Sequence, residues 1–215
     1  MKRLSFYFDF ISPFSFFAWR QLSQLQGVEI EYLPVPLGSV LNHWGIKGPG
    51  EVTPKREFLL KTLLRMAARE KLSFTTPRTH PFNSLYALRL ALKEVAGVHQ
   101  SAVMKTRWEP GWVQRIDMGE PEELLSALRQ QGLPADELYE KSFSREARQA
   151  LKHNLASALE AGVFGVPSFV VDGELFWGND SFQDLQTFLG GQDLLDSKKL
   201  ADLLSSTPRA ASQSL

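Results

Sequence analysis

The stretch FYFDFISPFSFFAW, Phe6 to Trp19, decides how the rest of the chain is read. Its first half is crowded with Phe and Tyr and reads as a buried strand over Leu4 to Phe10. Ser12 and Pro13 then change the grammar, because Ser is a favoured helix cap and Pro is favoured at the first helical position. A helix is therefore expected from Pro13 to Gln26, with Phe16, Phe17, Leu22 and Leu25 as its core face and Gly27 as its stop. Val28 to Leu33 alternates apolar and charged residues and reads as a second strand. Strand, helix, strand in this order points to a parallel βαβ unit.

Beyond it the texture changes. Glu57 to Lys71, Ser84 to Val95, Glu120 to Gln131 and Ser144 to Ala161 have helical periodicity, separated by the turn-rich stretches GIKGPGEVTP, TTPRTHPF and QGLP. Strand character returns at GVPSFVVDGELFWG. There Ser168 to Val171 and Glu174 to Trp177 flank Asp172-Gly173, a strong hairpin signal. A helix is expected over Ser181 to Leu189. The expected organisation is an α/β fold, βαβ…ββα, interrupted by an all-helical insertion. Residues 1–38 and 163–195 form the α/β unit, 39–162 the insertion, and 196–215 a flexible polar tail.

Composition narrows the function. Of 215 residues, 43% are hydrophobic and 22% charged, as a packed core requires. The 24 Lys and Arg balance 24 Asp and Glu, so nothing favours nucleic acid. Lys2 and Arg3 before an apolar run imitate a secretory leader, but Asp9 and Pro13 break the run and no small-residue cleavage site follows. No apolar stretch is long enough to span a bilayer. A cytoplasmic location, without membrane contact, is the expectation. The chain has no cysteine, so it is not a self-contained dithiol oxidoreductase.

Three places can carry chemistry. Ser12 is the first. A helix start offers unpaired N–H groups and partial positive charge, and a hydroxyl there can hold a thiolate supplied from outside. Plain capping uses the same geometry. The second is Val166-Pro167. A cis peptide bond there would present the backbone of Val166 to an extended peptide, while Pro167 would serve equally as the first residue of a strand. The third is Asn179, Asp180 and Ser181. These are good caps, but they also suit a zwitterionic amino-acid head, with Asp180 accepting from its ammonium. His43, His80, His99 and His153 lack metal-ligand spacing, so no metal is expected. His80, before Pro81, reads as structural. Trp108 and Trp112 flank Pro110-Gly111 and suit either an aromatic pocket or a core.

Taken together, FYFDFISPFSFFAW, KGPGEVTPKR, HPFN and FGVPSFVVDG…FWGND resemble the 2-hydroxychromene-2-carboxylate isomerase family, which is related to kappa-class glutathione transferases and to DsbA-type thioredoxin-like proteins. The resemblance covers nearly the whole chain except the tail. It implies a thioredoxin-like fold with Ser12 and Ser15 at the two cysteine positions and glutathione as the source of the thiol. It implies that Ser12 meets the glutathione sulfur and that Val166 and Pro167 pair with the tripeptide backbone. Asn179 and Asp180, with Ser181 as a weaker carry-over, hold the γ-glutamyl end. Lys55 would lie near the glycine of glutathione or the substrate carboxylate, and Lys47 and Asn83, as weaker carry-overs, would contact the aromatic substrate. Lys55 also reads as a solvated lysine at a helix start, and Asn83 as a helix cap. The implied assembly is a homodimer. Ile46 departs from the family, whose members often carry a polar residue there. That change bears on the identity of the substrate more than on glutathione binding. The leading expectation from the resemblance is a glutathione-dependent cis–trans isomerase acting on 2-hydroxychromene-2-carboxylate or a similar unsaturated aromatic keto acid, and the alternative is a kappa-like glutathione transferase or peroxidase. A degenerate peptide-binding module is the reading outside enzymology.

Overall fold

Phe6 and Phe8 point to one face of the first strand and Tyr7 to the other, and all three are buried. A strand covered on both faces must lie inside a sheet. In the computed structural model, which describes residues 1–206, that strand is β1 (Lys2–Phe8), and it lies inside a four-stranded sheet. The helix α1 (Pro13–Gln21) returns the chain to β2 (Val28–Pro34), which pairs parallel to β1 with Phe8 opposite Pro34. The hairpin β3 (Ser168–Val171) and β4 (Glu174–Trp177) completes the order β2-β1-β3-β4, with β3 antiparallel to β1. Helix α10 (Phe182–Leu189) follows.

Between β2 and β3 run α2 (Leu37–His43), α3 (Thr53–Arg69), α4 (Leu85–Leu90), α5 (Lys93–Ala96), α6 (Gln100–Val113), α7 (Pro121–Gln130), α8 (Ala135–Ser142) and α9 (Arg145–Glu160). The insertion shares its core with the sheet. Trp108 of α6 meets the rings of Phe8 and Phe10 at 5.7 and 4.5 Å, and Phe6 stacks on Phe169 at 5.3 Å. The opposite sheet face is covered by a smaller cluster of Tyr7, Val35, Val40, Ala158, Val163 and Val166.

Several expectations change in detail. β1 ends at Phe8 rather than Phe10, because the Asp9 carboxylate accepts from the Ile11 N–H and its carbonyl from the Ser12 N–H, which turns the chain. α1 ends at Gln21 and tightens into a 3₁₀ turn over Leu22–Gln24. Helix α2 runs across the boundary expected at 38/39. Trp108 and Trp112 are 0% and 1% exposed, so they belong to the core and line no pocket. The tail expected over 196–215 is in part helix: α11 (Ser197–Ser206) forms where Leu200, Leu203 and Leu204 recur at helical spacing. Its side chains are exposed, and residues 207–215 lie outside those described.

Candidate functional site

Ser12 sits at the carboxyl end of β1, where the turn made by Asp9 delivers it to the start of α1. Its Oγ accepts from the Ser15 N–H at 3.3 Å, an ordinary cap. The same hydroxyl donates to the Val166 carbonyl at 3.4 Å. The bond to Val166 is longer than an ordinary O–H···O hydrogen bond, so the Ser12 proton is loosely held and free to turn to a better acceptor. The two serines are not equivalent. Ser12 keeps 6% of its surface exposed, whereas Ser15 is fully buried and its hydroxyl has no protein partner.

The Val166-Pro167 peptide is cis and lies against Ser12. Among the described residues the Val166 N–H has no hydrogen-bond partner. A backbone donor is thus open beside the Ser12 hydroxyl, with the Val166 carbonyl within reach of the same visitor. Pro167 in turn accepts from the Gly178 N–H at 3.0 Å, which docks the third motif beside the second. Gly178 has φ +86°, a left-handed conformation that favours glycine, and the exposed Asp180 carboxylate lies over it, 2.5 Å from where a Cβ would stand. Asp180 is exposed at this corner, and Ser181 Oγ donates to the Gly178 carbonyl at 3.0 Å.

Asn179 does something the sequence did not announce. With its amide oriented to suit both neighbours, its nitrogen donates to the Phe14 carbonyl at 3.0 Å and its oxygen accepts from the Ala18 N–H at 2.9 Å. It therefore bolts the loop onto α1. Replacing Asn179 with Ala is expected to cost about 1–3 kcal/mol of stability, the loss of two such bonds. Chemical unfolding with and without glutathione would read it. A variant of unchanged stability but weakened glutathione binding would show that the amide serves the ligand instead.

Ser12, Val166, Pro167, Asn179, Asp180 and Ser181 are thus brought to one place. Asn83 adjoins them indirectly: one residue before the Ser84 cap position of α4, its Oδ1 accepts from the Leu85 N–H at 3.1 Å and turns the chain into that helix. The Ile11 carbonyl accepts from His80 Nε2 at 2.9 Å, which holds this segment alongside the Ser12 loop and gives His80 a structural role. Burial lowers the His80 pKa, against the hydrogen bond to the Ile11 carbonyl and with the nearby Arg56 acting in the same direction as burial. Lys47 and Lys55 are exposed, with no ion pair among the described residues. No hydrogen bond ties either to Ser12 or Val166. A cleft of about 490 Å³ at Arg78, Arg115 and Glu123 contains none of the motif residues.

Two supporting residues escaped the sequence reading. Asp9 is 1% exposed, and its carboxylate accepts from the Ile11 N–H at 3.1 Å and from the Leu37 N–H at 2.8 Å. Burial pushes its carboxyl up to about 6, against the pull of those backbone donors and of the Ser84 hydroxyl. A lone acid in a run of Phe was the available signal. At the far end of α2, Trp44 Nε1 donates to the Val163 carbonyl at 2.9 Å. Asp9, α2, Trp44, the 163–166 segment and Ser12 thus form a closed frame around the site.

The family of DSBA-like thioredoxin domains matches residues 3–190. A 2-hydroxychromene-2-carboxylate isomerase from Sphingobium xenophagum is 33% identical over 87% of this chain and 98% of its own. This chain belongs to the 2-hydroxychromene-2-carboxylate isomerase family of DsbA-like thioredoxin proteins. A solved 2-hydroxychromene-2-carboxylate isomerase superposes with a TM-score of 0.79 at 25% identity, covering 94% of this chain and 98% of the other. Human glutathione S-transferase kappa 1 is a more distant relative of this isomerase-family chain, 24% identical over 88% of it and 91% of the human protein. The thioredoxin-like architecture, with helices set between β2 and β3, is thus a family property.

Proposed function

We propose that this chain is a glutathione-dependent cis–trans isomerase. Its substrate would be 2-hydroxychromene-2-carboxylate, converted to trans-o-hydroxybenzylidenepyruvate, or a similar unsaturated aromatic keto acid. The observation that carries the reading is the loosely held Ser12 hydroxyl beside an open Val166 N–H, in a chain with no thiol. These groups fit a bound peptide carrying a thiol: a hydroxyl donor for sulfur, a free strand-like donor for the backbone, and the exposed Asp180 for an ammonium.

Glutathione, when bound, supplies a thiolate able to add reversibly to a conjugated carbon and so free a locked double bond to rotate. The chain's own groups do the rest. Ser12 donates to the sulfur position, and the amino end of α1 favours negative charge there. Val166 and Pro167 align the tripeptide, and Asp180, with Asn179 and Ser181 shaping its loop, receives the γ-glutamyl head. Lys55, Lys47 and Asn83 orient the substrate carboxylate and take up charge developing on its oxygen. A homodimer in the cytoplasm is the assembly and place that accompany this reading.

Kinship with a kappa-class glutathione transferase favours one rival, in which the same thiolate forms a conjugate and is not returned. The deciding assay follows the absorbance of 2-hydroxychromene-2-carboxylate with and without glutathione. Turnover that requires glutathione is the expected result. Conjugation of a halonitrobenzene without isomerisation would replace the proposal with the transferase, and absence of glutathione binding by calorimetry would leave only a peptide-binding module.

A further inference from the structure

The helical block contains a buried guanidinium. Arg107 on α6 is 0% exposed. Arginine keeps its proton at ordinary pH, and a charge taken out of water costs several kcal/mol unless something neutralises it. Among the described residues no carboxylate pairs with Arg107. Among the described residues it makes a single hydrogen bond, from Nη1 to the Leu124 carbonyl on α7 at 2.8 Å. Its Nε–H and Nη2–H groups are buried with no protein partner. Those two groups form one edge of the guanidinium, the fork that grips an anion with parallel N–H bonds.

Two further buried donors of the helical block lack partners as well. Tyr86 on α4 is near enough to feel the Arg107 charge, and its buried hydroxyl also lacks a partner. Arg89 lies one turn further along α4, with a buried Nε–H in the same condition. The rings of Tyr86, Tyr139 and Phe143 pack together at 4.9 to 5.7 Å and keep this region apolar. Glu122, the acid whose charge reaches Tyr86, is 79% exposed and pairs with Arg129 at 2.9 Å. Buried polar groups in folded proteins nearly always find a partner, so two orphan N–H groups on one edge of a buried positive charge call for an acceptor of negative charge.

We propose that the Arg107 fork is a buried site for one small monovalent anion of the halide class. The full burial of the guanidinium favours a small occupant. A single negative charge balances the guanidinium, whereas water would satisfy the donors and leave the charge uncompensated. The same burial pushes the Arg107 pKa down to about 9, the response of a cation lacking a counter-charge.

Crystals of the protein soaked in bromide, measured at the bromine absorption edge, test this directly. An anomalous peak within hydrogen-bond distance of Arg107 Nε and Nη2 is expected. In solution, the midpoint of thermal unfolding should rise with chloride and saturate, relative to gluconate at the same ionic strength, as binding to the folded state requires. Arg107→Met should abolish that rise. Ordered water at the fork without an anomalous peak would overturn the site, as would coincident chloride and gluconate curves for the unaltered protein. Both measurements need only that protein, so they decide the matter even where Arg107→Met fails to fold.

Discussion

Replacing Ser12 with alanine is expected to lower glutathione-dependent turnover about 100-fold at neutral pH, the usual cost of deleting one donor aimed at developing negative charge. The loss should be pH-dependent. A hydrogen bond to the ionised form favours that form, so removing the Ser12 donor raises the pKa of the bound thiol. The acid limb of the kcat/KM profile should therefore move to higher pH, and part of the lost activity should return in alkaline buffer. The hydroxyl also caps α1, and losing the cap costs about 1 kcal/mol, which a thermal melt measures separately. Ser15→Ala is the matched control. That hydroxyl is buried without a partner, so its removal should leave turnover intact and stability unharmed. Undiminished activity of Ser12→Ala at neutral pH would sink the assigned role.

The second large effect belongs to Asp9 and concerns stability. Its carboxyl has a pKa of about 6 in the folded protein, against 3.8 for an unperturbed group. Below about pH 3.8 both states carry the proton and the carboxyl takes nothing from stability. As pH rises through the window up to 6, the unfolded chain releases its proton first. The folded state is then disfavoured, by a total of about 3 kcal/mol once both are ionised. Other carboxylates titrate in the same range, so the effect is read as a difference. Asp9→Asn cannot titrate, and its stability relative to the parent should shift in its favour by about 3 kcal/mol between pH 3.5 and 7. Denaturant unfolding of both proteins across that range supplies the numbers. A difference that stays flat with pH would mean that the Asp9 carboxyl titrates alike in both states. Asparagine offers one acceptor where the carboxylate offers two to Ile11 and Leu37, so a constant offset between the curves is expected as well.

The legibility of this chain follows the range of the forces involved. β3 and β4 were read to the residue because Asp172-Gly173 is a local turn signal between β-branched and aromatic runs. Helix α6 was not read, since Pro110 and Gly111 look like a turn. Thr106 and Arg107 are also buried beside Trp108, which leaves no single apolar stripe to see. α2 and α8 escaped for want of length, with 7 and 8 residues each.

By itself, the sequence determined the βαβ opening, the hairpin, the lack of any thiol and the three motifs that meet at the site. Turn chemistry, helix caps and hydrophobic period act within a few residues, and all of these are written locally. The tertiary structure alone decided what those residues do once neighbours arrive. It split two serines of one motif into a solvent-touching donor and a buried spectator. It turned Asn179 from a cap into a clamp on α1, placed Asp9 between the turn at Ile11 and the start of α2, and buried Arg107 without a counter-charge among the described residues. Burial and long-range hydrogen bonding depend on segments separated by scores of residues, and no local pattern carries that information.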